Sequence, residues 1–251
     1  MAFRSTLLAC LSSLVFLGQA VAQPPAAAPE QTLEQAIAFM QEARRNFSVV
    51  KDYSCTLLSR ENVAGKLQDE NIIQAKFRVQ PNSVAMRWLA PSKWSGQEVV
   101  WIQGQNNNKM KVHSRGLLKV AGWVSIDPRD PRTMEHSRHS ISEAGLGNTI
   151  DESLRQWDRE CQTGKTQVRI AEYTFDSRRC WRMELIRTEQ RPEFYAYRTV
   201  VYLDKESKLP IRNENYFFPR QGGPAEGELM ESFSYVGLRF NTGLGDRDFE
   251  R

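Results

Sequence analysis

Several features are scarce in this chain of 251 residues. Beyond its N-terminus no apolar run approaches the ~18 uninterrupted residues that a membrane-spanning helix requires, so no helix-anchored membrane protein is expected after that point. It has 3 histidines and 4 cysteines, and no HExxH, GxSxG, GxxxxGK[ST], CxxC or glycine-rich dinucleotide loop. These absences remove the familiar signatures of metalloproteases, serine hydrolases, nucleotide binders and thiol oxidoreductases, and no cofactor is expected. Neither sign of charge dominates. The 34 Lys and Arg against 30 Asp and Glu leave a formal charge of +4, without long single-sign runs. That balance does not give the footprint of a nucleic-acid binder. What is present, 40% hydrophobic and 25% charged residues, is the composition of a globular protein.

The first segment reads as an export signal. Met1–Ala22 carries one positive charge, Arg4, then an apolar run from Leu7 to Leu17, then Ala20-Val21-Ala22 as a small-x-small cleavage site before Gln23. Cys10 lies too near the start of that run for a lipid-attachment box. Export makes the localisation periplasmic or otherwise extracytoplasmic, and oxidising compartments favour disulfides. Of Cys55, Cys161 and Cys180, the expected bond is Cys161–Cys180, because the intervening segment reads as a turn, a strand and the start of another. Cys55 is then an inert thiol in a strand.

Residues 23–31 form a Pro/Ala linker, and residues 32–251 read as one domain. Thr32 can cap a helix running to about Phe47, with Leu33, Ala36, Ile37, Met40, Ala43 and Phe47 on one stripe. From Tyr53 the period changes from 3.6 to 2. In Ile73–Val79 every odd position is apolar and every even one polar, as in a half-buried strand. Val84–Leu89, Glu98–Gln103 and Lys109–His113 follow at close spacing, punctuated by Pro, Gly and Asn, which indicates an antiparallel meander. A second helix is expected over residues 147–160. Strands then follow over 168–175, 180–187, 194–204, 209–218 and 228–240. The layout is helix, meander, helix, meander: an α+β fold, mainly antiparallel, with a large curved sheet and helices against one face.

Few residues suggest chemistry. His136 and His139, with Asp127 and Asp130 nearby, would converge on a metal only from a helix. Two Asp-Pro steps make the region a loop, so no metal site is expected. Glu184 and Glu231 could be a buried acid pair, but strand alternation favours a solvent-facing position for each. Lys109, Lys111, His113, Arg115 and Lys119 form the most basic stretch, read as a solvated hairpin rather than a docking surface for an acidic partner or a lipid headgroup.

The run Arg78–Gly104 resembles the outer-membrane lipoprotein-sorting carrier (LolA-like) superfamily: strand, Pro81, a strand ending Arg87-Trp88-Leu89, Ala90-Pro91, a loop, then Val99–Gln103 and Gly104. More closely, the chain resembles an uncharacterised family of exported bacterial proteins with that fold. The matching pieces are Asp52–Thr56, Arg60-Glu61 with Gly65-Lys66-Leu67, Arg138–Glu143, Asp204 with Leu209-Pro210, and Asp246–Phe249. The resemblance implies an unclosed antiparallel half-barrel whose concave face carries the helices, an apolar cavity between them, and non-catalytic binding of a lipid acyl chain or a lipidated protein. Alternate residues then face the concavity, here Ile73, Phe77, Met86, Trp88, Met183 and Leu185. Each of them could equally be ordinary core between sheet and helices. Two other classes stay open: an envelope interaction or sensor module holding a protein partner, and a hydrolase using the His136/His139 loop.

Overall fold

The computed structural model describes residues 31–114 and 122–250. The expected signal at Met1–Ala22, the linker as far as Glu30, and Arg115 and Lys119 lie outside the described residues. Helix α1 (Leu33–Phe47) starts where Thr32 and Gln35 form a capping box, and it buries the stripe Leu33, Ala36, Ile37, Met40, Ala43 and Phe47. Glu34 in its first turn and Arg44 and Arg45 in its last suit the helix dipole. Helix α2 (Pro131–Met134) is a single turn capped by Asp130, and α3 (Leu146–Cys161) buries Leu146, Ile150, Trp157 and Glu160. No described helix is long and apolar enough to cross a membrane.

The twelve described strands all belong to antiparallel ladders. They are β1 (Asp52–Val63), β2 (Lys66–Leu67), β3 (Asn71–Arg78), β4 (Ser83–Ala90), β5 (Glu98–Ile102), β6 (Met110–His113), β7 (Trp123–Ile126), β8 (Thr166–Phe175), β9 (Arg178–Arg187), β10 (Arg198–Asp204), β11 (Pro210–Tyr216) and β12 (Leu229–Phe240). The sheet order is β7-β6-β5-β4-β3-β1-β12-β11-β10-β9-β8, with β2 paired on β1 alone. The two meanders are therefore one sheet, joined at a seam where β1 pairs β12, with Leu57 opposite Tyr235 and Glu61 opposite Glu231. Among the described residues β7 and β8 are the two edges and do not pair with each other, so the sheet is an open half-barrel. Its concave face carries α1 and α3, which pack on each other and touch β8 and β11.

Two glycines let the helices approach. A Cβ on Gly147 of α3 would stand 2.7 Å from the Phe47 ring of α1. Gly145, at φ +113°, precedes α3 where a Cβ would meet the Tyr53 hydroxyl at 2.6 Å. That hydroxyl accepts a hydrogen bond from Leu146 N at 2.8 Å, satisfying one of the orphan amides of the helix start.

Deeper in, Arg187 and Glu160 form an ion pair with both side chains fully buried. Arg187 Nε and Nη2 each donate to a different Glu160 oxygen at 2.9 Å. Arg187 Nη1 also donates to Thr199 Oγ1 at 2.7 Å, Thr199 donates to Asn215 Oδ1 at 2.8 Å, and Asn215 Nδ2 donates to Glu231 at 2.8 Å. An unbroken polar chain thus ties α3 through β9, β10 and β11 to β12.

The expected Cys161–Cys180 disulfide does not form; Cys55, Cys161 and Cys180 are all free thiols. The reason is strand length. Ten residues of β8 leave the end of α3, and the chain turns back only after Phe175, so Cys180 pairs opposite Tyr173. At about 3.3 Å per residue this places Cys180 roughly 20 Å along the ladder from the end where Cys161 sits.

Two outcomes are expected. Glu160→Gln or Arg187→Met alone should lower stability by about 3–5 kcal/mol in urea titration, because each leaves a buried charge uncompensated, whereas Glu160→Leu with Arg187→Met should recover most of the loss. Peptide mapping under non-reducing conditions should find Cys55, Cys161 and Cys180 as unlinked thiols; a Cys161–Cys180 peptide would contradict the fold described.

Candidate functional site

The helices fill the trough unevenly. They pack against β8 and β11 and leave a cavity of about 790 Å³ between α3, the segment leading into it, and strands β1, β3–β7 and β10–β12. The wall follows strand parity: Leu57, Ser59 and Glu61 on β1, Ile73 on β3, Met86 and Trp88 on β4, Met110 and Val112 on β6, and Glu231, Phe233 and Tyr235 on β12. These positions belong to one face of a single sheet, and their convergence on one space reflects its curvature.

Ile73, Met86 and Trp88 lie in this wall. Phe77, Met183 and Leu185 occupy the core instead. Phe77 lies stacked on Tyr53 with ring centroids 4.7 Å apart, and Met183 and Leu185 are fully buried in the cluster shared with α1 and α3.

One end of the cavity is polar. Glu61 and Glu231 face each other across the seam, an arrangement that repels when both carboxylates are ionised. Residues 137–139 bridge them. Ser137 Oγ lies 3.1 Å and 3.2 Å from the two Glu61 oxygens, and Arg138 N donates to Glu61 at 2.6 Å. His139 Nε2 lies 2.8 Å from Glu231, joined by Arg138 Nε at 3.2 Å and the Tyr195 hydroxyl at 3.1 Å. Burial pushes the Glu61 carboxyl above its ordinary range, outweighing the Arg138 amide and the His139 charge. Burial also acts on Glu231, which is 3% exposed, but His139, Asn215 and Arg138 together hold it below the ordinary value. Burial favours neutral His139, yet Glu231, then Glu61 and Glu143, raise its pKa, while 37% of its side chain stays exposed.

The solvent-facing expectation for Glu184 and Glu231 is overturned: both are buried, Glu231 opposite Glu61 across the seam and Glu184 held by Arg182 and Arg198 at 3.1 Å each, and they do not pair with each other. Nor do the two histidines converge: His136 packs at a tilt against Trp94 with ring centroids 5.0 Å apart, and His139 turns to Glu231. Asp127 accepts from Arg129 N, and Arg132 holds the Asp130 carboxyl down at about 2. Among the described residues no group of three His, Cys, Asp or Glu is placed to hold a metal. Glu61, Arg138 and Tyr195 were given no role from sequence. For Glu61 the signal was there, since it continues the inward series Leu57, Ser59, while Arg138 and Tyr195 sit in segments with no period.

These features define a class: an open antiparallel half-barrel enclosing a cavity with an apolar wall and a charged end. The chain belongs to the family described as protein of unknown function DUF1571, whose model matches residues 50–251. No protein of curated function matches it. Among solved structures it is similar to an uncharacterised conserved protein from Thermus thermophilus, at 10% identity and TM-score 0.48 over 86% of this chain and 93% of the other. It is also similar to the lipoprotein LppX of Mycobacterium tuberculosis, at 10% identity and TM-score 0.48 over 84% and 98%. A LolA superfamily protein from Nitrosomonas europaea is similar at 9% identity and TM-score 0.37 over 85% and 96%.

The network fixes a pH window. The stabilisation from His139, whose pKa is raised on folding, is fully present below its unfolded value near 6.5 and is lost as pH rises through the folded value. That from Glu231, whose pKa is lowered, is present above about 4.5 and is lost as pH falls through its folded value. The stability gap between the parent protein and His139→Gln should therefore be widest between those limits and shrink toward alkaline pH. In an NMR titration, Glu231→Gln should move the His139 midpoint down; an unmoved midpoint would break the assignment.

Proposed function

We propose that the protein binds an amphiphile with a long apolar chain, a lipid or the acyl group of a lipoprotein, in this cavity and does not transform it. The observation that carries this reading is unfilled volume beside an apolar wall. About 790 Å³ lies within the usual range for ligand pockets, and its sheet side presents Leu57, Ile73, Met86, Trp88, Val99 and Val112. An apolar chain gains about 0.8 kcal/mol for each CH₂ moved out of water, so a sixteen-carbon chain gains on the order of 12 kcal/mol before ordering costs. The polar end suits a head group. The hydroxyl beside the His139 backbone, that of Ser137, faces the Glu61 carboxylate, and the imidazole Nε2 faces Glu231, so the described residues around His139 offer no Ser–His pairing of the kind nucleophilic catalysis uses. The Met1–Ala22 signal supports a site of action outside the cytoplasm, in the periplasm.

Native mass spectrometry of protein purified without detergent should detect a one-to-one adduct that solvent extraction identifies as a lipid or acyl chain. Met86→Trp, which projects bulk into the cavity, should reduce uptake of a long-chain fatty probe at least tenfold while costing only about 1–3 kcal/mol of stability. Protein that is always empty and takes up no long-chain probe would overturn the reading. A tightly co-purifying envelope protein without lipid would replace it with the interaction module.

A further inference from the structure

The charged groups of the cavity wall can be matched one by one. Among the described lining residues, four are carboxylates, Glu61, Glu143, Glu152 and Glu231, and the basic side chains are Arg132, His139 and His136, the last packed on Trp94. Glu231 is answered by His139 and Arg138, Glu143 by Arg129 at 2.5 Å, and Glu152 by Arg155 one helical turn on. Arg132 is itself engaged with Asp130 at 2.8 Å. In direct contact Glu61 has neutral donors alone, the Arg138 backbone amide and the Ser137 hydroxyl, and the His139 charge acts on it only from beyond contact. That hydroxyl has one proton, yet it lies within bonding distance of both Glu61 oxygens and, at 2.9 Å, of His139 O. Glu61 is 7% exposed. A carboxylate this buried normally has a cation in contact, and this one lines an open cavity with no such contact.

The same end carries aromatic faces. His136 holds Trp94 at 5.0 Å, and the next residue, Ser137, holds Glu61, so the short run 136–137 brings an indole and the unmatched carboxylate to one end of the cavity. Trp88 lines the wall nearby, opposite Ile73 in the β3–β4 ladder. An ammonium group is attracted both to an indole face and to a carboxylate, whereas an anionic head gains from neither.

We infer that the amphiphile bound here carries an amine: an ammonium head seats at Glu61 with Trp94 beside it, and the apolar chain runs along Ile73, Met86 and Val112. This inference rests on the binding function proposed above and adds the chemical class of the head group. Burial holds the Glu61 carboxyl high in the empty protein, and an arriving cation offsets that cost. Glu231, already matched, is the counter-charge that keeps the Arg138–His139 bridge in place, so the two carboxylates have separate tasks.

The test is a set of ligands with one chain and three heads: decylamine, decanol and decanoate, titrated calorimetrically at pH 7.5 into the full-length folded protein. Decylamine should bind at least tenfold tighter than decanoate, with decanol between them. Glu61→Gln should reduce the amine's advantage over decanol to less than threefold, with circular dichroism and a cooperative urea transition reporting that the variant is folded. Should Glu61→Gln fail to fold, Trp94→Leu serves instead and should lower the amine's advantage over decanol at least twofold. Decanoate binding as tightly as decylamine, or an amine preference that survives these substitutions, would overturn the inference and leave the cavity function standing. Failure of all three ligands to bind would instead count against the cavity function itself.

Discussion

The buried contact between Arg187 and Glu160 sets the position of everything around the cavity. A fully desolvated charge pair is tolerable only when its remaining donors and acceptors are also met, and here they are met in series: Arg187 to Thr199, Thr199 to Asn215, Asn215 to Glu231. Each link lies on a different strand, so the chain of hydrogen bonds fixes how far α3 sits from the sheet. Apolar packing alone would leave that distance softer. A helix free to slide toward β1 and β3 would bury more of its own surface by closing the empty space. The ion pair ties its C-terminal end to β9 and the Tyr53–Leu146 bond ties its N-terminal end to β1, so with both ends fixed the helix does not close over the empty space.

The seam between β1 and β12 is the second constraint. It joins strands from opposite ends of the chain and sets Glu61 against Glu231 in register. Two facing carboxylates at that depth would destabilise the seam unless something came between them. The segment 137–139 does so, and in this way an otherwise irregular loop becomes the fixed end wall of the cavity. Charge compensation is asymmetric: the cations go to Glu231, and backbone and hydroxyl donors go to Glu61. The opposite pKa displacements of the two groups follow from that division, with burial acting on both.

Much of the fold was legible because alternation is a direct consequence of strand geometry. Ile73–Val79, read as a half-buried strand, lies in β3 and just beyond it, and the stripe of α1 is buried residue for residue. The strand expected from Phe194 begins only at Arg198, since Phe194–Tyr197 is a bent segment that buries Phe194 and Ala196 before the regular ladder starts. The cysteine pairing failed for a related reason: the distance between two residues joined by a hairpin depends on where the turn falls, and Asp176-Ser177 lies well beyond the end of α3. The bridge at Arg138 and His139 was illegible because its partners lie some seventy to ninety residues away, in strands whose registers no local pattern states.

Cavity and core share one alphabet, which explains why only some of the expected wall residues are in the wall. Ile73 and Phe77 stand four residues apart on the same strand and face; the first borders empty space and the second lies against Tyr53. Met86 and Met183 are chemically identical, yet one faces the cavity and the other lies under the helices. What separates them is where α1 and α3 rest, a property of the assembled trough and not of any strand. Unfilled volume has a cost, because atoms lining a void lose dispersion contacts that a packed interior would supply. A protein keeps such volume only when rigid neighbours prevent collapse, and here the two ends of α3 and the bridged carboxylates provide that rigidity. The polar groups around the cavity are the ones that hold its apolar space open.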